Sequence, residues 1–445
     1  MTVRDAGRTL GVLGLLTLAL PVNAAVTGFA LLRGPRPSTT PPATVTPPTT
    51  EPTTQRRTVL VSGGKMTKAL QLCRSFHAAG HRVVLVESAT YRLTGHRFSR
   101  SVDAFHTVPD PRSEEYADAL LRIVELEDVD VYVPVCSPAA SVHDARAKAL
   151  LSKHCEVLHL DPEVLDQLDD KYQFARAAAA LGLPVPDTHR ITDAQQVLDF
   201  DFSRSPRDYL LKSIAYDPVH RLDLTRLPFG PPEAMTAFVQ SLPISEDNPW
   251  ILQEFVEGRE YCTHSTVRDG RLTVYCCCAS SPFQVNYAMA DRPEIRAWVE
   301  RFVGATRLTG QVSFDFIEEE DGSVLAIECN PRTHSAITML YDHDGVAAAY
   351  LEDSELPVVV PTSTSRPTYW IYHELWRLLT GPDRPGRLRT ILAGKDAIFD
   401  LGDPLPFFVE HHVQVPWLLL RNLLRNGSWI RVDFNIGKLV EPAGD

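Results

Sequence analysis

The chain has 445 residues, 44% of them hydrophobic and 22% charged, so its length predicts two to four domains, each with a core of its own. Its 44 Lys+Arg stand against 56 Asp+Glu, a formal charge of −12, which argues against a duplex nucleic-acid partner because phosphate neutralisation needs a basic face. A mean hydropathy of −0.11 excludes a polytopic membrane protein, and the absence of a fixed repeat excludes a solenoid.

The first element is apolar. No residue between Thr9 and Leu32 is charged, and GVLGLLTLALPVNAAVTGFALL is long enough to cross a bilayer core. Val22-Asn23-Ala24 has the form of a signal-peptide cleavage site, but the apolar run continues past it to Leu32, so residues 1–33 read as a single-pass anchor. Arg4 and Arg8 on one flank nearly balance Arg33 and Arg36 on the other, which leaves the orientation open. Residues 34–57 hold seven Pro and eight Thr and read as an extended tether. Eight cysteines with no CxxC pair suit a reducing compartment, which puts the part after the tether on the cytoplasmic side. Cys276, Cys277 and Cys278 alternate faces in a strand, so they read as small apolar residues rather than metal ligands.

Residues 58–165 alternate strand and helix: TVLVSGG, a helical KMTKALQLCRSFHAAG closed by Gly80, HRVVLVES and later DVYVPVCSP. This order predicts a parallel, Rossmann-like α/β sheet. The loop Ser62-Gly63-Gly64-Lys65 matches neither the P-loop nor GxGxxG, which removes the main support for a nicotinamide dehydrogenase. Gly63-Gly64 opening a helix could still hold an anion, and Glu87 lies at a strand end as a ribose-binding acid would. Cys136, just after a strand, has no activating partner visible in the sequence.

Chemistry-bearing residues concentrate in 166–345. LDDKYQFARAAAALGLPVPDT reads as a helix with Asp170 near its start and its end at Gly182. YLLKS places Lys212 in an otherwise apolar strand, where an ammonium calls for an anion unless the strand is an edge. Asp269-Gly270 marks a hairpin turn, and Ile295, Trp298, Val299, Phe302 and Val303 form a helical core stripe. QVSFDFIEEE and SVLAIECNPR close the region across Asp321-Gly322. Counting across that turn sets Asp315 roughly opposite Glu328, and Glu328 and Asn330 leave the same face. Two carboxylates and an amide oxygen on one face form a hard-oxygen set suited to Mg²⁺ and nucleotide phosphates, and Arg332 beside them could grip a phosphoryl group.

DDK with GLPVP, then Lys212, QEFVEGRE, and an Asp thirteen residues before ExNPR resemble, in this order, the ATP-grasp superfamily. The resemblance implies α/β and α+β architecture: a Rossmann-like pre-ATP-grasp domain (58–165) and a two-lobed ATP-grasp domain (166–345), behind the N-terminal apolar helix. It also implies that Lys171 and Lys212 contact ATP phosphates, that Gln253, Glu254, Phe255 and Val256 hold adenine, and that Glu260 binds ribose. Asp315, Glu328 and Asn330 would hold Mg²⁺, with Mn²⁺ as a substitute. The flap after Lys212, SIAYDPVHRLDLT, departs from the family by lacking glycine, and His220 or Arg221 would take over the covering role.

LVSGGKMTKALQL, VYVPVCSP, GREYCTHSTVRDG, IECNPRTHSAIT, PTYWIYHE and VDFNIGKLVE further resemble the mycosporine-glycine synthases over roughly 58–445. That resemblance alone implies the substrates, 4-deoxygadusol and glycine, a carbon–nitrogen ligase activity with Arg332 and Lys212 in catalytic roles, and His334 and Ser335 as substrate contacts. The implied partners are these small molecules and a membrane through the N-terminal segment. No nucleic acid is implied, and a homo-oligomer is left open. Residues 346–445 form a C-terminal region whose PTYWIYHELWRLL and VPWLLLRNLLRNGSWIRV read as helices packed on the core, with a membrane-surface helix as the alternative.

Overall fold

The computed structural model describes residues 2–34, 55–135, 137–215, 219–220, 223–280, 286–353 and 355–440. Most of the Pro/Thr tether, Cys136 and Arg221 lie outside these residues.

After the N-terminal helix α1 (Val3–Arg33), the chain forms β1 (Thr58–Val61), α2 (Thr67–Ala78), β2 (Arg82–Ser88), β3 (Ala104–Val108), α3 (Tyr116–Glu127), β4 (Val131–Val133), α4 (Pro138–Leu151) and β5 (Glu156–Val157). The five strands pair in parallel in the order β3-β2-β1-β4-β5, the doubly wound arrangement that strand–helix alternation predicts. Apolar runs such as Val83–Val86 are unbroken because both faces are covered: Val59, Val61 and Leu85 pack with α2, while Leu60, Val84 and Val86 pack with α3.

Next come α5 (Pro162–Asp169), α6 (Lys171–Ala180), β6 (Thr188–Ile191), β7 (Tyr209–Ser213), α7 (Pro232–Ser241) and β8 (Trp250–Glu254), whose strands form an antiparallel sheet ordered β6-β8-β7. β9 (Arg259–Arg268), β10 (Arg271–Ala279), α8 (Pro293–Thr306), β11 (Gly310–Glu318) and β12 (Val324–Asn330) follow, with a second antiparallel sheet ordered β10-β9-β11-β12. The turns are those the sequence calls for: Asp269 and Gly270 have φ of 44° and 77°, and Gly322 has 86°. All five apolar positions of α8 are buried, and Trp298 stacks on Phe302 at 5.2 Å. This mixed α/β architecture, a five-stranded parallel sheet followed by two antiparallel ones, with a small mixed sheet over 286–287, 368–369 and 395–396, is the fold class the sequence predicts.

The C-terminal region adds α9 (Ile371–Thr380), α10 (Arg384–Ala393), a helical run over 405–424 ending in α11 (Val415–Leu424), and a small hairpin. It shares one apolar core with the parallel sheet and with β9–β10, through Trp370, Ile398 and Phe434 beside Val59 and Cys276. By length and composition α1 could cross a membrane, a property that signal sequences and soluble core helices share. It does not project from the body. Asn23 Nδ2 lies 2.6 Å from Tyr372 Oη and 2.7 Å from His412 Nε2, and Leu16 is buried in the shared core.

The tightest backbone approach is at Gly63, where φ is +70° and a Cβ would lie 1.7 Å from the Val135 carbonyl oxygen. Gly63→Ala is expected to destabilise the protein by at least about 3 kcal/mol. Gly80→Ala, at φ +89° with nothing within 4 Å of its Cβ position, should cost about 1 kcal/mol. Urea denaturation of the two variants checks the contrast, and equal losses would contradict it.

Candidate active site

The site is built on the β11–β12 hairpin. Asp315 and Glu328 are register partners, as counting from the Asp-Gly turn predicts. A β-bulge between Asp315 and Phe316 leaves Ile327 without an opposite residue, a device that re-aims side chains near functional sites. Asn330 leaves the same face as Glu328; its Nδ2 donates to Asp315 Oδ2 at 3.1 Å, and its Oδ1 accepts from Arg332. Arg332 also lies 3.6 Å from Asp169, the last residue of α5.

Cations reach these carboxylates from two further elements. Asp170 caps α6 by accepting from the Tyr172 and Gln173 backbone N–H at 2.8 and 2.9 Å, which fixes Lys171 at the first helical position. Lys171 Nζ is 3.9 Å from Glu328. Lys212 stands on the edge strand β7, yet it is no ordinary edge lysine: its Nζ donates to Gln253 Oε1 at 3.4 Å and feels Glu328, Glu260 and Asp315.

The charges are tuned against one another. Burial lowers the Lys212 pKa, and Glu328 is the strongest influence opposing it. Burial and the neighbouring Glu328 push Asp315 up to about 7. Burial also disfavours the charge on Glu328, but Lys171, Lys212 and Arg332 hold that carboxyl below its usual range. Burial raises Asp169. Two opposed carboxylates and an amide oxygen of this kind are the donor set of a hard dication, and the surrounding Lys and Arg suit the oxyanions that accompany one.

The other expected contacts divide. Gln253 is buried and donates to Thr188 Oγ1 at 3.2 Å, and Val256 is buried. Glu254 is committed to the β6–β8–β7 lobe: its carboxylate accepts from Asp187 N at 3.1 Å, Arg207 at 3.4 Å and Ser205, and its own N–H donates to the Asp187 carbonyl at 2.9 Å, which leaves its carbonyl oxygen as the group to face a ligand. Arg226 covers the ring of Phe255 at 4.0 Å. Glu260 pairs with Ile317 at the exposed start of β9. His220 sits edge-on against Trp250 at 5.6 Å, while Arg221 is outside the described residues. His334 and Ser335 are held on the C-terminal side: His334 packs on Tyr287 at 5.4 Å, and Ser335 Oγ is bonded to the Asn435 side chain at 2.8 and 3.0 Å.

Several residues emerge only in three dimensions. Cys262 lies opposite Asp315 on one side and opposite Cys278 on the other, with the two sulfurs 3.4 Å apart. The ligand atoms of Cys262, Cys278 and His334 fall within 4.8 Å of one another. Cys276 and Cys278 face one core and Cys277 another, in line with the strand alternation. The Asp-Gly turn could have signalled the Cys262–Cys278 pair, but the bulge between Leu272 and Val274 shifts the register by one residue. Lys68, buried in α2, donates to the Thr333 carbonyl at 2.6 Å, and Asp169 joins the cluster from the DDK segment. At the Gly63-Gly64 loop an internal anion takes the place left for an external one. Glu87 accepts from Lys65 N at 2.9 Å and Ser88 N at 2.7 Å and pairs with Lys65 Nζ at 3.4 Å.

No protein-family model matches the chain, and no curated protein matches it. Solved structures share its fold. N5-carboxyaminoimidazole ribonucleotide synthetase in complex with ADP superposes with a TM-score of 0.52 at 14% identity, over 70% of this chain and 80% of that one. The Staphylococcus aureus N5-carboxyaminoimidazole synthetase complexed with ADP gives 0.51 at 12%, over 70% and 80%. Biotin carboxylase from Campylobacter jejuni, in a β-γ-ATP complex, gives 0.52 at 14%, over 70% and 74%. The chain has the ATP-grasp fold.

The charge balance at Asp315 is open to test. Asp315→Asn mimics the protonated acid and removes its repulsion with Glu328, so the unliganded variant should melt at or above the wild-type temperature, with a gain of up to about 1 kcal/mol. A saturating Mg²⁺–nucleotide mixture should stabilise the wild type by roughly 2–3 kcal/mol and the variant far less. A variant that keeps the full shift in differential scanning fluorimetry would remove Asp315 from the ligand set.

Proposed function

We propose that this protein is an ATP-dependent ligase that forms a carbon–nitrogen bond between glycine and 4-deoxygadusol, yielding mycosporine-glycine, ADP and phosphate. The observation that carries the ligase reading is the Asp315–Glu328–Asn330 face, met by Lys171, Lys212 and Arg332 from three other segments of the chain. The fold shared with nucleotide-bound synthetases and carboxylases supports it. The substrate pair rests on sequence resemblance to the mycosporine-glycine synthases.

When bound, Mg²⁺ and ATP supply the γ-phosphoryl group and the charge neutralisation its transfer requires. Asp315, Glu328 and Asn330 would hold the dication, or Mn²⁺ in its place. Lys171 and Lys212 would bind phosphate oxygens, and burial strengthens each such contact. Gln253, Val256 and the backbone of Glu254 and Phe255 would bind adenine, and Glu260 the ribose. Arg332, already oriented by Asn330, would steady the moving phosphoryl group by its planar fork. His334 and Ser335 would contact the acceptor. The enol oxygen of the acceptor becomes a phosphate ester, and the glycine amine displaces phosphate to leave the enaminone. The active portion belongs on the cytoplasmic side of a membrane that the N-terminal helix engages.

Mass spectrometry of full-length protein with ATP, Mg²⁺, 4-deoxygadusol and each common amino acid in turn should show a glycine adduct and equimolar ADP. An adduct with another amine would change the substrate and keep the reaction class; no ADP with any amine would overturn the ligase reading. Glu328→Ala should lower kcat/KM at least about 100-fold. Undiminished ADP release by that variant would remove the metal assignment.

A further inference from the structure

The C-terminal layer is built inside out. In α9 the carboxylate Glu374 is completely buried, bonded to Asn286 at 3.0 Å and paired with Arg377 and Arg387, while Trp376 and Leu379 on the same helix are 60% and 69% exposed. In α10 no residue is buried, and Leu388 and Leu392, one turn apart, face outward, Leu392 at 70%. The helical run ending in α11 buries Val415, Leu418 and Leu419 on one side. On the other it exposes Val413, Trp417, Leu420 and Leu424 at i, i+4, i+7 and i+11, a second apolar stripe with Leu424 80% exposed. α1 follows the same rule: Thr9 and Thr27 are among its few buried residues, while Leu10, Leu15, Leu18, Val22, Val26 and Phe29 are exposed.

These faces adjoin. α1 runs antiparallel to the 405–424 segment, with Asp5 next to Trp429 at one end and Asn23 bonded to His412 at the other. It is bonded to Tyr372 of α9, and with Ile391 of α10 it walls a cavity of about 780 Å³. Large exposed apolar patches mark interaction sites, and this one is bounded by cations on an otherwise acidic protein. Segments 371–392 and 415–431 hold Arg377, Arg384, Arg387, Arg389, Arg421, Arg425 and Arg431 against only Glu374 and Asp383.

We propose that α1, α9, α10 and the 405–424 run form one monotopic docking face for an anionic lipid bilayer, with α1 lying in the interface plane rather than crossing the membrane. α1 has buried residues from Thr9 to Ala30, a span of about 31 Å, so a crossing α1 would carry its antiparallel partner through the hydrocarbon core. That partner holds Glu410, His411, His412, Gln414 and Arg421, and among the described residues α1 is the one helix long and apolar enough to span. Tryptophans and arginines beside exposed leucines are the composition of an interfacial face. The proposal rests on the membrane part of the functional reading and is independent of its chemistry.

The experiment uses full-length protein with vesicles of phosphatidylcholine alone or with phosphatidylglycerol, and with brominated lipids that quench tryptophan emission from within the bilayer. Binding should favour the anionic vesicles and weaken about 25-fold when Arg389→Gln and Arg425→Gln are combined, about fivefold per charge. Bilayer quenching should fall in Trp376→Phe/Trp417→Phe, a conservative pair that leaves folding intact. Leu420→Asp/Leu424→Asp, both on the exposed stripe, should reduce partition at least tenfold with unchanged ADP release. If the α10 and α11 variants bind and quench as wild type while removal of residues 1–33 abolishes binding, α1 anchors alone and the composite face is overturned. If full-length protein binds neither vesicle, both the face and the membrane part of the functional reading fall, and the ligase assay stands apart.

Discussion

Two carboxylates held opposite one another on adjacent strands cannot both ionise without compensation, and the central organisation of the molecule follows from that constraint. Asp315 and Glu328 are fixed by the ladder of β11 and β12, so they cannot separate. Compensation has to come from elsewhere in the chain: Lys171 from the start of α6, Lys212 from the edge of the small antiparallel sheet and Arg332 from the loop beyond β12. Glu328 is stabilised as a carboxylate by these three, and Asp315 is left as the acid whose proton is most easily retained. The charged centre is therefore a joint between sheets, and an incoming dication would replace repulsion that the protein itself only partly offsets.

The same accounting applies at the Gly63-Gly64 loop, where a carboxylate of the chain itself meets Lys65. The left-handed turn at Gly63 presents the Lys65 backbone N–H at the mouth of the parallel sheet, and Glu87 from the neighbouring strand accepts from it and from its own neighbour Ser88 N. His96 continues the arrangement, contacting the Gly64 carbonyl at 2.9 Å and Glu410 at 3.0 Å, with both side chains fully buried. The Rossmann-like sheet thus supplies its own carboxylate to this loop, and the Lys171, Lys212 and Arg332 cations gather instead around Glu328.

Legibility from sequence tracked how local each signal is. The parallel sheet follows from apolar runs alternating with helices; the Asp315–Glu328 pairing is the one a two-residue turn would give, reached here by a longer turn whose offset the bulge at Phe316 cancels. The Cys262–Cys278 pair was hidden by a single bulge that displaced the count by one. The partnership of Lys68 with Thr333 was hidden by their separation in sequence, since no spacing rule links α2 to the loop after β12. Glu254 stood in the expected segment, but which of its atoms face a ligand depends on Ser205 and Arg207, which no local pattern announces. The C-terminal helices were the least legible because α9 reverses the usual burial and the 405–424 run carries apolar residues on both its buried and its exposed sides. Periodicity shows that an apolar stripe exists, and only the fold shows that Glu374 is inside and Trp376 outside.

That reversal links the surface to the site through packing. Asn23 of α1 bonds to Tyr372; Tyr372 lies 4.6 Å from His411 and 5.7 Å from Phe434; Phe434 precedes Asn435, which holds Ser335. Trp370 donates to Thr67 at 3.0 Å at the start of α2, tying the same layer to the parallel sheet. Every contact in this path is short and buried or half-buried, and close-packed interiors transmit displacement rather than absorb it. A bilayer that fixes α1 and the 405–424 run would therefore also fix the wall carrying His334 and Ser335, while Lys212 stands on a separate small sheet. The two sides of the charged cluster therefore differ in support: Arg332, His334 and Ser335 lie on a segment tied to the C-terminal layer, and Lys212 lies on a sheet of its own.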